Sequence, residues 1–411
     1  MKKSLMINLS RLLLLLVVTS GLFTLANLMP QLPPSGAQPS TTSSSQNLSD
    51  TPGNSTDAQI AVYQNNVYVV WSDATSGNGD IYFKRSITNG TIFSETRNLS
   101  NNTGLSSDPQ LFAVGRNVYV AWTDSSSGNN EILYRHSSNT GERFRGASEL
   151  SKTISVDGEY SLFPMISAIG SNVYVVWQDK VSGNYEIFLR ESNDGGIRFG
   201  SIKNLSRNNT GDSISPRIAS SGNNVYVVWT DHEPRRSEIF LRTSNDNAAT
   251  FGGIRNVSWS NGVSYDPKVA VAGNNSLYIL WEDTSLREFT FDLILRASHD
   301  VAGSFEDKVN LGRYVGEVAD YGQVAAYGNN LFVVWSDAPR YGYPPAYEIF
   351  LEASRDGGKS FDDAINLSPG PGNSIDPQIA VSEKNKTVFV IWSEVTNGNS
   401  EIHFMRLENF F

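Results

Sequence analysis

From Gln46 onward the chain alternates short apolar runs with clusters of Gly, Asn, Ser and Asp. The clearest run is NNVYVVWSD, and its tryptophan returns at 71, 122, 177, 229, 281, 335 and 392. The period, about 53 residues, is too long for most helical repeats and suits a four-stranded propeller blade. Each repeat divides into four strand-like pieces. The first is short and apolar after a turn, as in DPQLFAV, and the second is NVYVAW, rich in Val, Tyr and Trp with little polar alternation. A run of that kind fits a strand covered on both faces, as blades are by their neighbours. The third piece is EILYR, and the fourth ends in NLS or a close variant. Gly, Asn, Ser and Asp fill the joints, where turns need a positive φ or a side-chain oxygen for backbone donors.

The ends of the chain are out of register with each other. The fourth-strand signature stands at Asn47-Leu48-Ser49 before any complete repeat, then at Asn98, Glu149, Asn204, Asn256, Asn310 and Asn366. The last repeat stops in its third strand, SEIHFMRLENFF. An N-terminal strand that completes the last blade leaves no blade short and no sheet edge bare. The expectation is an all-β, seven-bladed propeller over residues 46–411, closed by that strand.

Between the third and fourth strands six repeats carry a common frame, clearest in SNDGGIRF at 192–199 and SRDGGKSF at 354–361. Its residues are Ser192, Asp194, Gly196 and Phe199 in one copy and Ser354, Asp356, Gly358 and Phe361 in another. The acid becomes Thr88 or Asn139 elsewhere, so an oxygen is kept where the charge is not. A turn whose amides need an acceptor tolerates that exchange, whereas a general acid or nucleophile does not. The frames resemble the Asp-box, or bacterial neuraminidase repeat, and the resemblance extends over nearly all of residues 46–411. It implies a β-propeller with the box at the turn between third and fourth strands, and kinship in architecture with sialidases. Activity does not follow, because the box is shared by catalytic and non-catalytic propellers.

Sialidases clamp their substrate carboxylate with three arginines, the first usually in an Arg-Ile-Pro segment that is absent here. Arg85, Arg135, Arg190, Arg242, Arg296 and Arg406 end successive third strands and read as parts of the module. On the inner strands only Arg217 and Lys268 are cationic. No catalytic residue is assigned.

The module departs from its own pattern in the loops DHEPRRSE (231–238), EDTSLREFTFD (282–292), SDAPRYGYPPAYE (336–348), SVDGEYSLFP (155–164) and GRYVGEVADYGQ (312–323). All belong to one face of a propeller. They bring forward Arg235, Arg236, Arg287, Arg340, Tyr341, Tyr343, Glu317, Asp320 and Tyr321, with Arg313, Tyr314 and the channel residue Arg217, as candidates for ligand binding. Aromatic planes suit sugar or peptide faces, and arginines suit carboxylates.

Composition narrows the classes. The chain has 411 residues, 34 Gly and 11% aromatics, which favours many short strands and turns. Its 32 basic and 42 acidic residues give a net charge of -10, with no Lys/Arg-rich run of the kind that marks a nucleic-acid surface. With no cysteine there is neither a disulfide nor a thiolate metal site. His136, His232, His299 and His403 fall at unrelated module positions, and the oxygens of SDATSGNGD and TDSSSGNNE read as turn caps rather than calcium ligands, so no metal and no cofactor is expected. The opening MKKSLMINLSR and the uncharged stretch 12–28 read as an export signal or signal anchor over residues 1–29, followed by a Pro/Ser/Thr linker at 30–45. Several Asn-X-Ser/Thr sequons accompany it, among them Asn54, Asn89, Asn208 and Asn385, though the NLS copies belong to the module.

The sequence thus points to an exported or surface-anchored monomer that binds a glycan or extracellular protein without catalysis. The alternative is a divergent sialidase-type glycosidase, which would need two carboxyl groups, or a Tyr/Glu pair with an acid, converging in the central pocket.

Overall fold

The second strand of the first blade, Asn66–Asp73, shows why the repeat folds as it does. Val67, Tyr68, Val69, Val70 and Trp71 are all fully buried, because one sheet face packs on the next blade and the other on the previous one. The Trp71 indole N–H donates to Asp73 Oδ2 at 3.3 Å, and that carboxylate also accepts from Ser55 on the neighbouring strand at 2.9 Å. The same Ser-Asp-Trp arrangement recurs with Ser106, Asp124 and Trp122, and with Ser264, Asp283 and Trp281. The last blade uses Glu394 in place of Asp, accepting from Trp392 at 2.9 Å. The buried tryptophan that sets the sequence period therefore has its one polar atom satisfied in the interior.

The computed structural model describes residues 44–408 apart from 152–159, 182, 208–210, 234–235, 274, 286–290, 312–317, 339–346 and 397. Over this range it holds seven four-stranded antiparallel sheets and no helix. The first blade runs Ser55–Tyr63, Asn66–Asp73, Asp80–Ser86 and Arg97–Asn98, from inner to outer strand. Most outer strands are only two residues long. The inner strands of successive blades adjoin one another in a closed cycle around the axis.

The ring closes as the register of the ends requires. Gln46–Asn47 pairs with the last strand, Asn399–Glu408, with Gln46 opposite Phe404 and Asn47 opposite His403. Leu48 N–H adds a bond to the Ile402 carbonyl at 2.7 Å. Leu48, Val69 and Trp71 share one buried cluster with Phe389, Ile402 and Phe404, so the seam is core.

The Ser-x-Asp frames are joints. Ser192 Oγ donates to Asp194 Oδ1 at 2.8 Å and accepts from Gly196 N–H at 3.0 Å, while Asp194 Oδ1 accepts from Ile197 and Arg198 N–H at 3.0 and 2.9 Å. Asn139 does the same for Arg143 N–H at 2.9 Å, and Thr88 Oγ1 for Ile92 N–H at 3.0 Å. The Phe of each turn reaches back to the blade before: Phe144 meets Phe83 edge-on at 5.1 Å, and Phe199 meets Tyr134 at the same distance.

The third-strand cations also link blades, but they form two sets rather than one. Lys84, Arg190, Arg242 and Arg296 donate backwards to the outer-strand carbonyls of Leu48, Leu150, Leu205 and Val257 at 2.7 to 3.0 Å. Arg85 and Arg406 stand one residue later in the frame and donate forwards, to the turn carbonyls of Thr140 and Asn89.

Candidate functional site

In the sequence the first strand of the second blade is expected to start at DPQLFAV, after a turn; the strand starts two residues earlier, and the Asp-Pro lies inside it. In the second blade the strand begins at Ser106, and the pairing with its neighbour slips between Ser107 and Gln110, leaving Asp108 and Pro109 in a bulge. Proline has no N–H to give to a ladder, so a bulge is where a strand accommodates it. The same slip occurs in every blade, and the residue that opens it adopts a left-handed backbone: Asp57, Asp108, Phe163, Ser215, Asp266, Tyr321 and Asp376, with φ between 46° and 57°. Such a conformation is costly for residues with a Cβ, and it recurs here around the axis at one level of the fold.

That level lies just beneath one mouth. The links entering the inner strands and the loops between second and third strands share this face: Asn78 donates to the carbonyls of Asn102 and Gly104 at 3.1 and 2.9 Å. Gly104 is packed so closely that a Cβ there would stand 2.3 Å from Ser126 N.

Charge is segregated around the ring. Aspartates occupy three consecutive blades, Asp376 in the seventh, Asp57 in the first and Asp108 in the second. Burial pushes the Asp57 carboxyl up from the usual carboxylate range. Burial, and then the charge of Asp57, push Asp108 up to about 7. Two carboxyl groups on adjacent inner strands are thus both held above the ordinary carboxylate range.

Across the ring the cations are already engaged. Asp266 Oδ1 accepts from Arg217 Nη2 at 2.9 Å, and its Oδ2 lies 2.7 Å from Lys268 Nζ. Burial draws the Lys268 ammonium down to about 8, against the pull of Asp266 and with the push of Arg217. Between these two arcs stand the ring residues Phe163 and Ser215 on one side and Tyr321 on the other. Ser215 N–H donates to Gln178 at 2.9 Å, and Tyr321 N–H to Glu282 and Asp320 at 3.0 and 2.9 Å, so second-strand side chains of one blade fix the bulge of the next.

Of the residues singled out in the sequence, Arg217, Asp320 and Tyr321 belong to or adjoin this ring. Arg236 does not: it is held by Glu238 at 2.8 Å and donates to the Ser260 carbonyl. Arg235, Arg287, Arg313, Tyr314, Glu317, Arg340, Tyr341 and Tyr343 lie outside the described residues, as does the apolar stretch 12–28. The histidines each have a protein partner, Asn117 for His136, Ser237 for His232, Ser276 for His299 and Ser45 for His403. Among the described residues no group of three or more His, Asp or Glu is arranged to hold a metal ion.

No protein-family model matches the chain, and no curated protein matches its sequence. Solved structures do match its architecture. A Dyadobacter fermentans protein of unknown function is 12% identical with a TM-score of 0.54, over 87% of this chain and 96% of that one. The polysaccharide lyase Uly1 is 9% identical with a TM-score of 0.56, over 86% and 90%. The NanB sialidase of Streptococcus pneumoniae is 11% identical with a TM-score of 0.50, over 89% and 70%. At such identities the likeness is one of fold.

Asp108, Asp266 and Asp376 were missed because Asp-Pro is a turn signal wherever it occurs, and Asp57 because it stands before Ala58 with no motif around it. The informative sign was alignment. Stacking the repeats on their bulges puts Phe163, Ser215 and Tyr321 where the other four blades have Asp, so the position varies in chemistry while its backbone stays fixed.

Proposed function

We propose that this chain is an exported propeller that binds a neutral glycan in its central mouth. The observation that carries this reading is the bulge ring, in which Asp57, Asp108 and Asp376 lie on one arc while the cations Arg217 and Lys268 on another are both paired with Asp266, with Glu282 as a further negative charge near Lys268. Carboxylates accept bonds from sugar hydroxyls, and a half-buried aromatic such as Tyr321 offers a sugar a stacking face. Among the described residues of the ring, a ligand bearing its own carboxylate meets Asp57, Asp108 and Asp376, and Arg217 is already paired with Asp266, which favours an uncharged sugar. The fold supports a glycan as ligand without choosing its charge, since its neighbours include enzymes named as a sialidase and a polysaccharide lyase. The Asp-box pattern of the turns supports kinship with such propellers, and the basic and apolar opening at 1–29 supports export.

Hydrolysis is a second reading, and the Asp57/Asp108 pair favours it. Two neighbouring carboxyl groups, one of them raised by burial and by the charge of the other, are the kind of pair that glycoside cleavage uses for its acid and its nucleophile or base.

A panel of neutral and sialylated oligosaccharides separates the outcomes. Binding of neutral members with no new reducing ends supports the binding module. Release of reducing ends that is lost in both Asp57→Asn and Asp108→Asn supports the hydrolase. Preference for the sialylated members would overturn the neutral-glycan reading.

A further inference from the structure

Seven of the eight tryptophans are the buried module residues, and the eighth, Trp259, is 71% exposed. It follows the short outer strand Arg255–Asn256 of the fourth blade, where its N–H is capped by Asn256 Oδ1 at 2.9 Å. Other blades fill this position with small or polar side chains in the same left-handed conformation: Asp50 at φ 46°, Asn101 at 45° and Arg207 at 50°, against 39° for Trp259. A bulky aromatic in that conformation, turned to solvent, gains nothing for the fold.

The indole forms one wall of an open groove of about 400 Å³ between the outer edges of the fourth and fifth blades, completed by Ile254, Arg255, Asn256, Arg296 and Phe305. The guanidinium groups of Arg255 and Arg296 both lie over the Phe305 ring, each 5.4 Å from its centroid. They repel one another, and Lys308 adds a third cation, donating to the Trp259 carbonyl at 3.1 Å, with Asp307 as the counter-charge near Arg296. Arg296 commits Nε and Nη1 to the carbonyls of Glu306 and Val257, and Arg255 commits Nη1 to Ala302, which leaves further donors on each fork. On a chain of net charge -10, this is a local excess of positive charge beside an exposed aromatic plane.

We propose that this groove is a second glycan site, separate from the mouth, that takes a carboxylated sugar such as a uronic acid: the indole stacks on the ring and the arginines hold the carboxylate. Aromatic stacking and charge-assisted bonds are the usual means of such recognition. The proposal stands on the groove alone and is independent of the reading of the mouth.

Trp259 reports on its own site, because Trp71, Trp122, Trp177, Trp229, Trp281, Trp335 and Trp392 are at most 1% exposed. Acrylamide quenching of tryptophan fluorescence is measured on the purified protein with oligogalacturonate, and with maltohexaose as the neutral control. Oligogalacturonate should shield the quenchable tryptophan and maltohexaose should not. Trp259→Asn, which introduces the residue the second blade carries at this position, keeps the fold and should abolish the signal. By calorimetry that variant and Arg255→Ala should each bind oligogalacturonate about tenfold more weakly, and added salt should weaken binding further. Unchanged quenching with oligogalacturonate, or equal affinity in Trp259→Asn, would overturn the proposal. So would shielding that grows with protein concentration in the absence of sugar, which would assign the groove to a second copy of the chain.

Discussion

Asp194 and Asn139 accept the same pair of contacts in different blades, one from a serine hydroxyl and one from a backbone N–H, and neither needs its charge to do so. Asp194→Asn is therefore expected to melt close to the wild type in a thermal scan, and Asp194→Ala clearly below it; equal melting of the two would show that the oxygen is not what the turn requires. The acids that do occupy these turns still leave a pH signature. Thr250 draws Asp246, and Ser304 draws Asp300, down to about 2, so their contribution to stability is present above the ordinary carboxylate range and is lost as pH falls through it towards 2. Asp108 has the opposite sign. Its folded pKa is raised, so its ionisation costs stability increasingly as pH rises from about 4 through 7. Asp108→Asn should gain roughly 1–3 kcal/mol in urea unfolding at pH 8 and little at pH 4.5. No gain at pH 8 would mean that Asp108 is not held against its charge. The turn residues were legible because six copies exposed what could vary. Asp108 was not, since its meaning depends on Asp57, 51 residues away in the chain and adjacent only once the blades close.

At the scale of the strand, the period and the buried pattern of NVYVVW-type segments were enough to place the second and third strands of every blade. Burial on both faces leaves little freedom for such a run. Inner strands were legible only in part, because the Asp-Pro at their start resembles a turn and the slip that absorbs it is set by pairing with the second strand. The closing strand was legible from counting alone. It is two residues long, yet it covers the edge of the last blade and brings Leu48 into the seam cluster. A chain lacking residues 44–50 should therefore lose melting temperature and aggregate through the bared strand Asn399–Glu408. Unchanged melting and solubility after that deletion would contradict closure by this strand.

On the scale of the whole molecule, seven near-identical blades make a rigid frame, and what distinguishes the protein is where the frame is decorated unequally. The turns opposite the mouth keep one hydrogen-bonding frame, while the bulge ring carries acids on one arc, the cations Arg217 and Lys268 paired with Asp266 on another, and Phe163 and Tyr321 between them. We propose this ring as the ligand site, with its acidic arc selecting an uncharged sugar. Calorimetric titration of the best neutral glycan from the panel into Asp57→Ala and Asp376→Ala, with Asn78→Ala in a regular loop as control, tests it most directly. Affinity is expected to fall about tenfold or more in both ring variants, with no loss of melting temperature, and to stay at the wild-type level in the control. Wild-type affinity in both ring variants would contradict it.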